Sequence, residues 1–122
     1  MTEAAFEPVL EAVRATGWTS VVLDLDGVTD RTGFLDRCAH ALALPDWSGR
    51  NWDALADCLR DLSWLPVSRG RLVLVSGWQD YAASRPDQWA IAQQVFADAE
   101  QHWAGRAEGF AVLLAVGAPT TG

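Results

Sequence analysis

The sequence predicts a small α/β domain: a three-stranded parallel sheet packed with helices and preceded by an extra N-terminal helix. Two observations carry this expectation. Three short apolar runs, Thr19 to Leu25, Leu72 to Val75 and Phe110 to Val116, read as buried strands. The segments between them place apolar residues at helical spacing, and strands that alternate with helices assemble as a parallel sheet with crossover helices. No internal repeat or long linker divides the chain. The expected organisation is a helical extension over residues 1–18 and one compact domain over residues 19–122.

Composition fits one core. The chain has 122 residues, half of them apolar, which is ordinary for a globular domain and too rich for a disordered one. All nine basic residues are arginine, and 16 acidic residues bring the formal charge to −7. This acidity argues against a nucleic-acid binder, whose phosphate contacts need a basic face. It suits a soluble protein that meets a basic partner. The first residues, Met1-Thr2-Glu3-Ala4-Ala5-Phe6-Glu7, are acidic where a signal peptide needs positive charge. Cys38 and Cys58 lack the spacing of a disulfide framework or a zinc site. The expectation is a cytoplasmic protein with free buried thiols and with no cofactor or metal.

The elements follow in order. Phe6, Val9, Leu10 and Val13 form the apolar stripe of a first helix, closed by Gly17. Asp30 or Thr32 caps a helix that turns Phe34, Leu35, Cys38, Ala41 and Leu42 inward and stops before Pro45. Pro45 to Arg50 is a loop by its proline, glycine and short polar residues. Asn51 caps the next helix, expected to run to about Leu62. Trp78 to Ser84 is a helical turn, and Pro86 opens a longer helix to about Trp103.

The helix after the loop carries the functional signal. Trp52, Leu55, Cys58, Leu59 and Leu62 fall on one side, and Asp53, Asp57 and Asp61 in a narrow arc on the other. Carboxylates four apart repel by roughly 0.2–0.5 kcal/mol per pair. Taken alone, such an arc reads as a solvated polar face; the sharper reading is a surface that presents negative charge to a basic site. Trp47 favours the second reading, because a large aromatic in a polar loop beside carboxylates has the composition of an interface anchor.

The segment Leu44-Pro45-Asp46-Trp47-Ser48-Gly49-Arg50-Asn51-Trp52-Asp53-Ala54-Leu55-Ala56-Asp57-Cys58-Leu59 resembles the binding loop and helix of the barstar family, intracellular inhibitors of small secreted bacterial ribonucleases. The resemblance runs roughly from Thr19 to Val116 and includes Gln94-Val95-Phe96 on the last helix. It implies a barstar-like domain that plugs a ribonuclease active site one-to-one and is not itself an enzyme. By that resemblance, Asp57 enters the enzyme's phosphate-binding site and Asp53 pairs with a nearby basic residue. Asp98 adds a further pair, and Trp47 packs on the enzyme's histidine. Gly49, Asn51 and Ala56 complete the expected partner-binding set. Three positions depart from the best-known member: Trp47 stands for a tyrosine, Ala56 for a tryptophan that contacts the enzyme, and His102 for an acidic residue. These departures bear on which nuclease is matched, and they keep open an immunity protein against a different nuclease toxin, or a barstar-like scaffold that has moved to another partner.

A second resemblance competes. Val21 to Val28 is similar to the first motif of haloacid-dehalogenase-type phosphatases, in which Asp24 would attack phosphorus, Asp26 would act as acid/base, and Mg²⁺ would lie alongside. Ser76 resembles that family's second motif. The remaining parts are missing: the chain has no lysine to neutralise an aspartyl phosphate, and no late acidic pair follows a further strand. The plain alternative for Asp24 and Asp26 is a strand end followed by a tight turn at Gly27. His40 and His102 sit near no serine or cysteine nucleophile in sequence, and the tryptophans at 18, 64, 78, 89 and 103 read as core or core-edge residues.

Overall fold

The computed structural model describes residues 2–45 and 49–116, with side chains from residue 7 onward. The chain runs α1 (Thr2–Arg14), β1 (Thr19–Asp24), α2 (Arg31–Ala41), α3 (Trp52–Leu59), β2 (Gly70–Ser76), α4 (Gln79–Ser84), α5 (Pro86–Trp103) and β3 (Gly109–Leu114). The strands form one parallel sheet in the order β1-β2-β3. As the central strand, β2 is buried along its whole length, which is why its sequence reads as an unbroken apolar run rather than an alternation.

Side chains alternate across a strand, so the register gathers Val21, Leu23, Val73, Val75, Val112 and Leu114 on one face. That face packs against Phe34, Leu35 and Cys38 of α2, Leu55 and Leu59 of α3, and Ala92, Phe96 and Ala99 of α5. Phe34 is fully buried and holds several elements at once, with ring centroids 5.4 Å from Trp52, 5.5 Å from Tyr81 and 6.2 Å from Phe96. On the opposite face α1 lies against β1, with Leu10 buried, and an apolar groove runs between α1 and Leu72, Ala111 and Leu113. Among the described residues no helix is long and apolar enough to cross a membrane.

The elements agree with the sequence reading, with differences at their ends. Asp30 rather than Thr32 caps α2, its carboxylate accepting from the Gly33 N–H at 2.8 Å. Within that helix Ala41 packs partly buried against the core as expected, and Ala39 is buried as well. β2 begins two residues before Leu72, because Gly70 and Gly109 are partners across β2 and β3 and make a bare floor for Trp18. A Cβ on Gly109 would come within 2.7 Å of the indole, and one on Gly70 would overlap it. β3 ends at Leu114, but Ala115 still donates to the Val75 carbonyl at 2.8 Å and accepts from Trp78 Nε1 at 2.9 Å.

The largest difference lies at the end of α3. The apolar spacing predicts a helix to about Leu62, yet it stops at Leu59. The N–H groups of Asp61 and Leu62 both donate to the Cys58 carbonyl at 3.0 Å, and Leu62 takes a left-handed φ of 53°. Its side chain is buried all the same, so the apolar periodicity continues past the true helix end. Burying a leucine is worth about 1.5–3 kcal/mol, enough to offset the roughly 1–2 kcal/mol cost of that backbone conformation.

Candidate functional site

The start of α3 is built by Gly49 and Asn51. Asn51 has extended backbone, and its Oδ1 accepts from the Ala54 N–H at 2.8 Å, which satisfies one of the free donors of the first helical turn. A Cβ on Gly49 would lie 2.9 Å from Asn51 Nδ2, so glycine leaves room for the cap. These two residues therefore set where the helix begins and which way it turns its carboxylates. Trp47 lies outside the described residues.

From that start, Leu55, Cys58 and Leu59 are buried and Ala56 is half-buried against the core, while Asp53 and Asp57 stand exposed one turn apart. Asp53 also gains from the positive end of the helix dipole. Asp61, expected on the same helical arc, lies beyond the helix end in the turn that follows.

α3 is pinned to α5 at both ends. Trp52 Nε1 donates to Gln88 Oε1 at 3.2 Å, and Trp103 Nε1 donates to the Leu59 carbonyl at 2.7 Å. The beginnings and the ends of the two helices therefore meet, and they run in the same sense. Asp98 is exposed on α5, one oxygen accepting from Gln94 Nε2 at 2.9 Å. His102, one turn further on, is half-buried with its ring edge-on to Trp103 at 5.2 Å between centroids. The structure thus stands Asp53 and Asp57 together on α3, with Asp98 on the helix locked beside it.

Two arginines bracket this region, and sequence reasoning overlooked both. Arg60 caps the end of α3 and donates to Asp57 Oδ1 at 2.9 Å; Arg50, just before the helix, reaches back to Asp36 Oδ1 of α2 at 3.3 Å. The first was readable, because residues three apart on a helix are neighbours. The second joins a loop to a distant helix and left no local signal.

Away from this face, polar groups serve the fold. Asp24 Oδ1 accepts from the Asp26 N–H at 3.0 Å, the Leu25 N–H donates to the Ser76 carbonyl at 2.8 Å, and Gly27 takes a φ of 83°. This is the strand-end turn that the sequence offered as the plain reading of Asp24 and Asp26. Among the described residues no three histidine, cysteine or acidic side chains gather as metal ligands do. Cys38 and Cys58 are both buried, and burial pushes the Cys38 thiol well above its ordinary value. Such a thiol is unreactive, since the thiolate is the nucleophile.

A small α/β domain that presents exposed carboxylates from a firmly capped helix has the form of an acidic protein-binding domain. Residues 18–115, most of the chain, match the family model described as barstar, the barnase inhibitor. The chain belongs to the barstar family, whose members are inhibitors of barnase-type ribonucleases or related immunity proteins. No curated protein matches it.

Proposed function

We propose that this protein is a cytoplasmic inhibitor of a small secreted bacterial ribonuclease and blocks the enzyme one-to-one by docking α3 and the preceding loop into its active site. The observation that carries the reading is the pair of exposed carboxylates, Asp53 and Asp57, on a helix whose start is fixed by Gly49 and Asn51. A carboxylate is an anion that cannot be hydrolysed, so it can occupy a site built for a phosphodiester. Arginines that bind phosphate grip it in the same forked geometry. In this reading Asp57 enters the phosphate site, Asp53 and Asp98 pair with basic groups around it, and Trp47 and Ala56 meet the enzyme's surface.

The formal charge of −7 supports electrostatic steering toward a basic active site. Association is expected to slow as salt rises, since charges are screened beyond about 8 Å at physiological ionic strength. An association rate indifferent to salt would remove steering from the argument. Ala56 and the half-buried His102 support a second reading, an immunity protein matched to a nuclease toxin of different surface shape, because neither offers the side chain expected for a barnase-type partner.

The deciding experiment titrates the protein into a panel of small guanyl-specific bacterial ribonucleases and follows RNA cleavage, with Asp57→Ala in parallel. Stoichiometric loss of cleavage that the variant fails to produce is the expected result. If every enzyme in the panel stays active, the ribonuclease reading gives way to the immunity reading.

A further inference from the structure

We infer that Arg60 is an internal counter-ion that attenuates Asp57, so that its guanidinium sets how strongly and how fast the protein captures a basic partner. The inference rests on the proposed role of Asp57 and concerns a residue to which neither the family match nor the resemblance gives a role. Arg60 follows Asp57 by three residues at the end of α3, and the helix brings Nη2 to 2.9 Å from Oδ1. A cation at this end also meets the negative end of the helix dipole, which holds it there. The neighbouring carboxylate differs: among the described residues Asp53 has no ionic partner, and Arg50 is engaged with Asp36.

The contact uses one oxygen of Asp57 and leaves Oδ2 open. A partner's cation therefore either displaces the guanidinium or joins it on the same carboxylate. In the first case the existing pair must break. In the second, two cations share one anion in an interface from which water has been expelled, where like charges repel more strongly than in solvent. Both routes oppose binding, so removing the charge at position 60 strengthens it. An exposed ion pair is worth at most about 1 kcal/mol, which corresponds to about fivefold in Kd.

The test uses a guanyl-specific ribonuclease that the unmodified protein inhibits and measures Kd and association rate by stopped flow for Arg60→Gln, Arg60→Lys, Arg14→Gln, Asp57→Ala and the Asp57→Ala/Arg60→Gln double variant. Arg14 is the control for net charge, since it pairs with Glu7 on α1 and its loss changes the total charge equally. Arg60→Gln is expected to tighten binding by about two- to fivefold, Arg14→Gln by less than twofold, and Arg60→Lys to stay near the parent. In the Asp57→Ala background the gain from Arg60→Gln should fall to that of Arg14→Gln. A gain equal to the control, one that persists without Asp57, or weakened binding would each overturn the inference. Weakened binding would make Arg60 a contact for the partner. Insensitivity to Asp57→Ala would instead sink the proposed docking face, and a panel with no inhibited enzyme would sink the ribonuclease reading; either result would remove the basis for the counter-ion as well.

Discussion

Two arginine–carboxylate pairs of nearly equal length divide the molecule's chemistry. Arg71 and Glu108 meet at 3.1 Å with side chains 8% and 25% exposed, whereas Arg60 and Asp57 meet at 2.9 Å with side chains 42% and 76% exposed. The first pair is embedded in a finished network: Arg71 also donates to the Pro66 carbonyl at 2.8 Å, and Glu108 accepts from the Ser68 N–H at 3.2 Å. That backbone donor, followed by the guanidinium, holds the Glu108 carboxyl below its ordinary range. The second pair has no such surroundings. A charge pair with every partner supplied belongs to the fold; one left in solvent with an oxygen to spare is available to another molecule.

The comparison breaks most visibly at Asp57. If this carboxylate is buried in the complex, Asp57→Ala leaves a cationic pocket unpaired and should cost about 3–5 kcal/mol of binding. Its effect on folding should stay within about 0.5 kcal/mol, as for other exposed substitutions. Inhibition titrations and thermal melts on the same preparation separate the two quantities. A variant that loses stability and binding together would show that Asp57 serves the fold.

The opposite pattern is expected at the Arg71–Glu108 pair. Glu108→Gln should lower the melting temperature at neutral pH and leave inhibition unchanged. The sign of the pH dependence follows from the lowered pKa: the ionised carboxylate is favoured in the folded state, so its contribution is present above the ordinary value of 4.5 and is lost as pH falls through the folded value. The gap between parent and variant should therefore close in acid. A gap that widens in acid would contradict the assigned network.

Much of this was legible in the sequence, and the reasons differ by element. α5 was read to both ends because Pro86 marks its first turn and Trp103 closes its apolar stripe. The strands were found by their runs but not by their limits. Gly70 and Gly109 pair across β2 and β3 with Trp18 lying on them, a fact of packing that no local pattern carries. Arg71 was invisible for a related reason: its charge is made tolerable by Glu108, far along the chain. Leu62 misled in the other direction, keeping helical spacing in a residue that had already left the helix. For the site, the Asp53 and Asp57 spacing sufficed to place both on one exposed side. That α5, the helix carrying Asp98, packs beside α3 depended on the Trp52–Gln88 and Trp103–Leu59 contacts, which are tertiary.

A smaller effect is expected where fold and face meet. Asn51→Ala removes the acceptor for the Ala54 N–H, and loss of such a cap costs about 1 kcal/mol of stability. Because Asp53 sits in the turn that frays, this variant should weaken binding as well as folding, unlike either charge pair. Amide exchange at Ala54 should quicken in the variant; an unchanged rate would mean the side chain does not hold the turn.

The smallest effect is expected at Asp61, and it is the sharpest control. By sequence spacing it belongs with Asp53 and Asp57, and the three would act as one acidic stripe. In the structure the helix has ended at Leu59, and Asp61 sits in the following turn, its backbone N–H bonded to the Cys58 carbonyl and its side chain in solvent. Solvent-exposed charges at the rim of an interface change association more than dissociation and contribute little once water surrounds them. Asp61→Ala is therefore expected to shift both stability and Kd by no more than about 0.5 kcal/mol. Stopped-flow association and an inhibition titration beside Asp57→Ala make the check. A loss as large as that of Asp57→Ala would mean that the docking face extends past the end of α3, and that the position of a carboxylate along the chain matters more than its place on the helix.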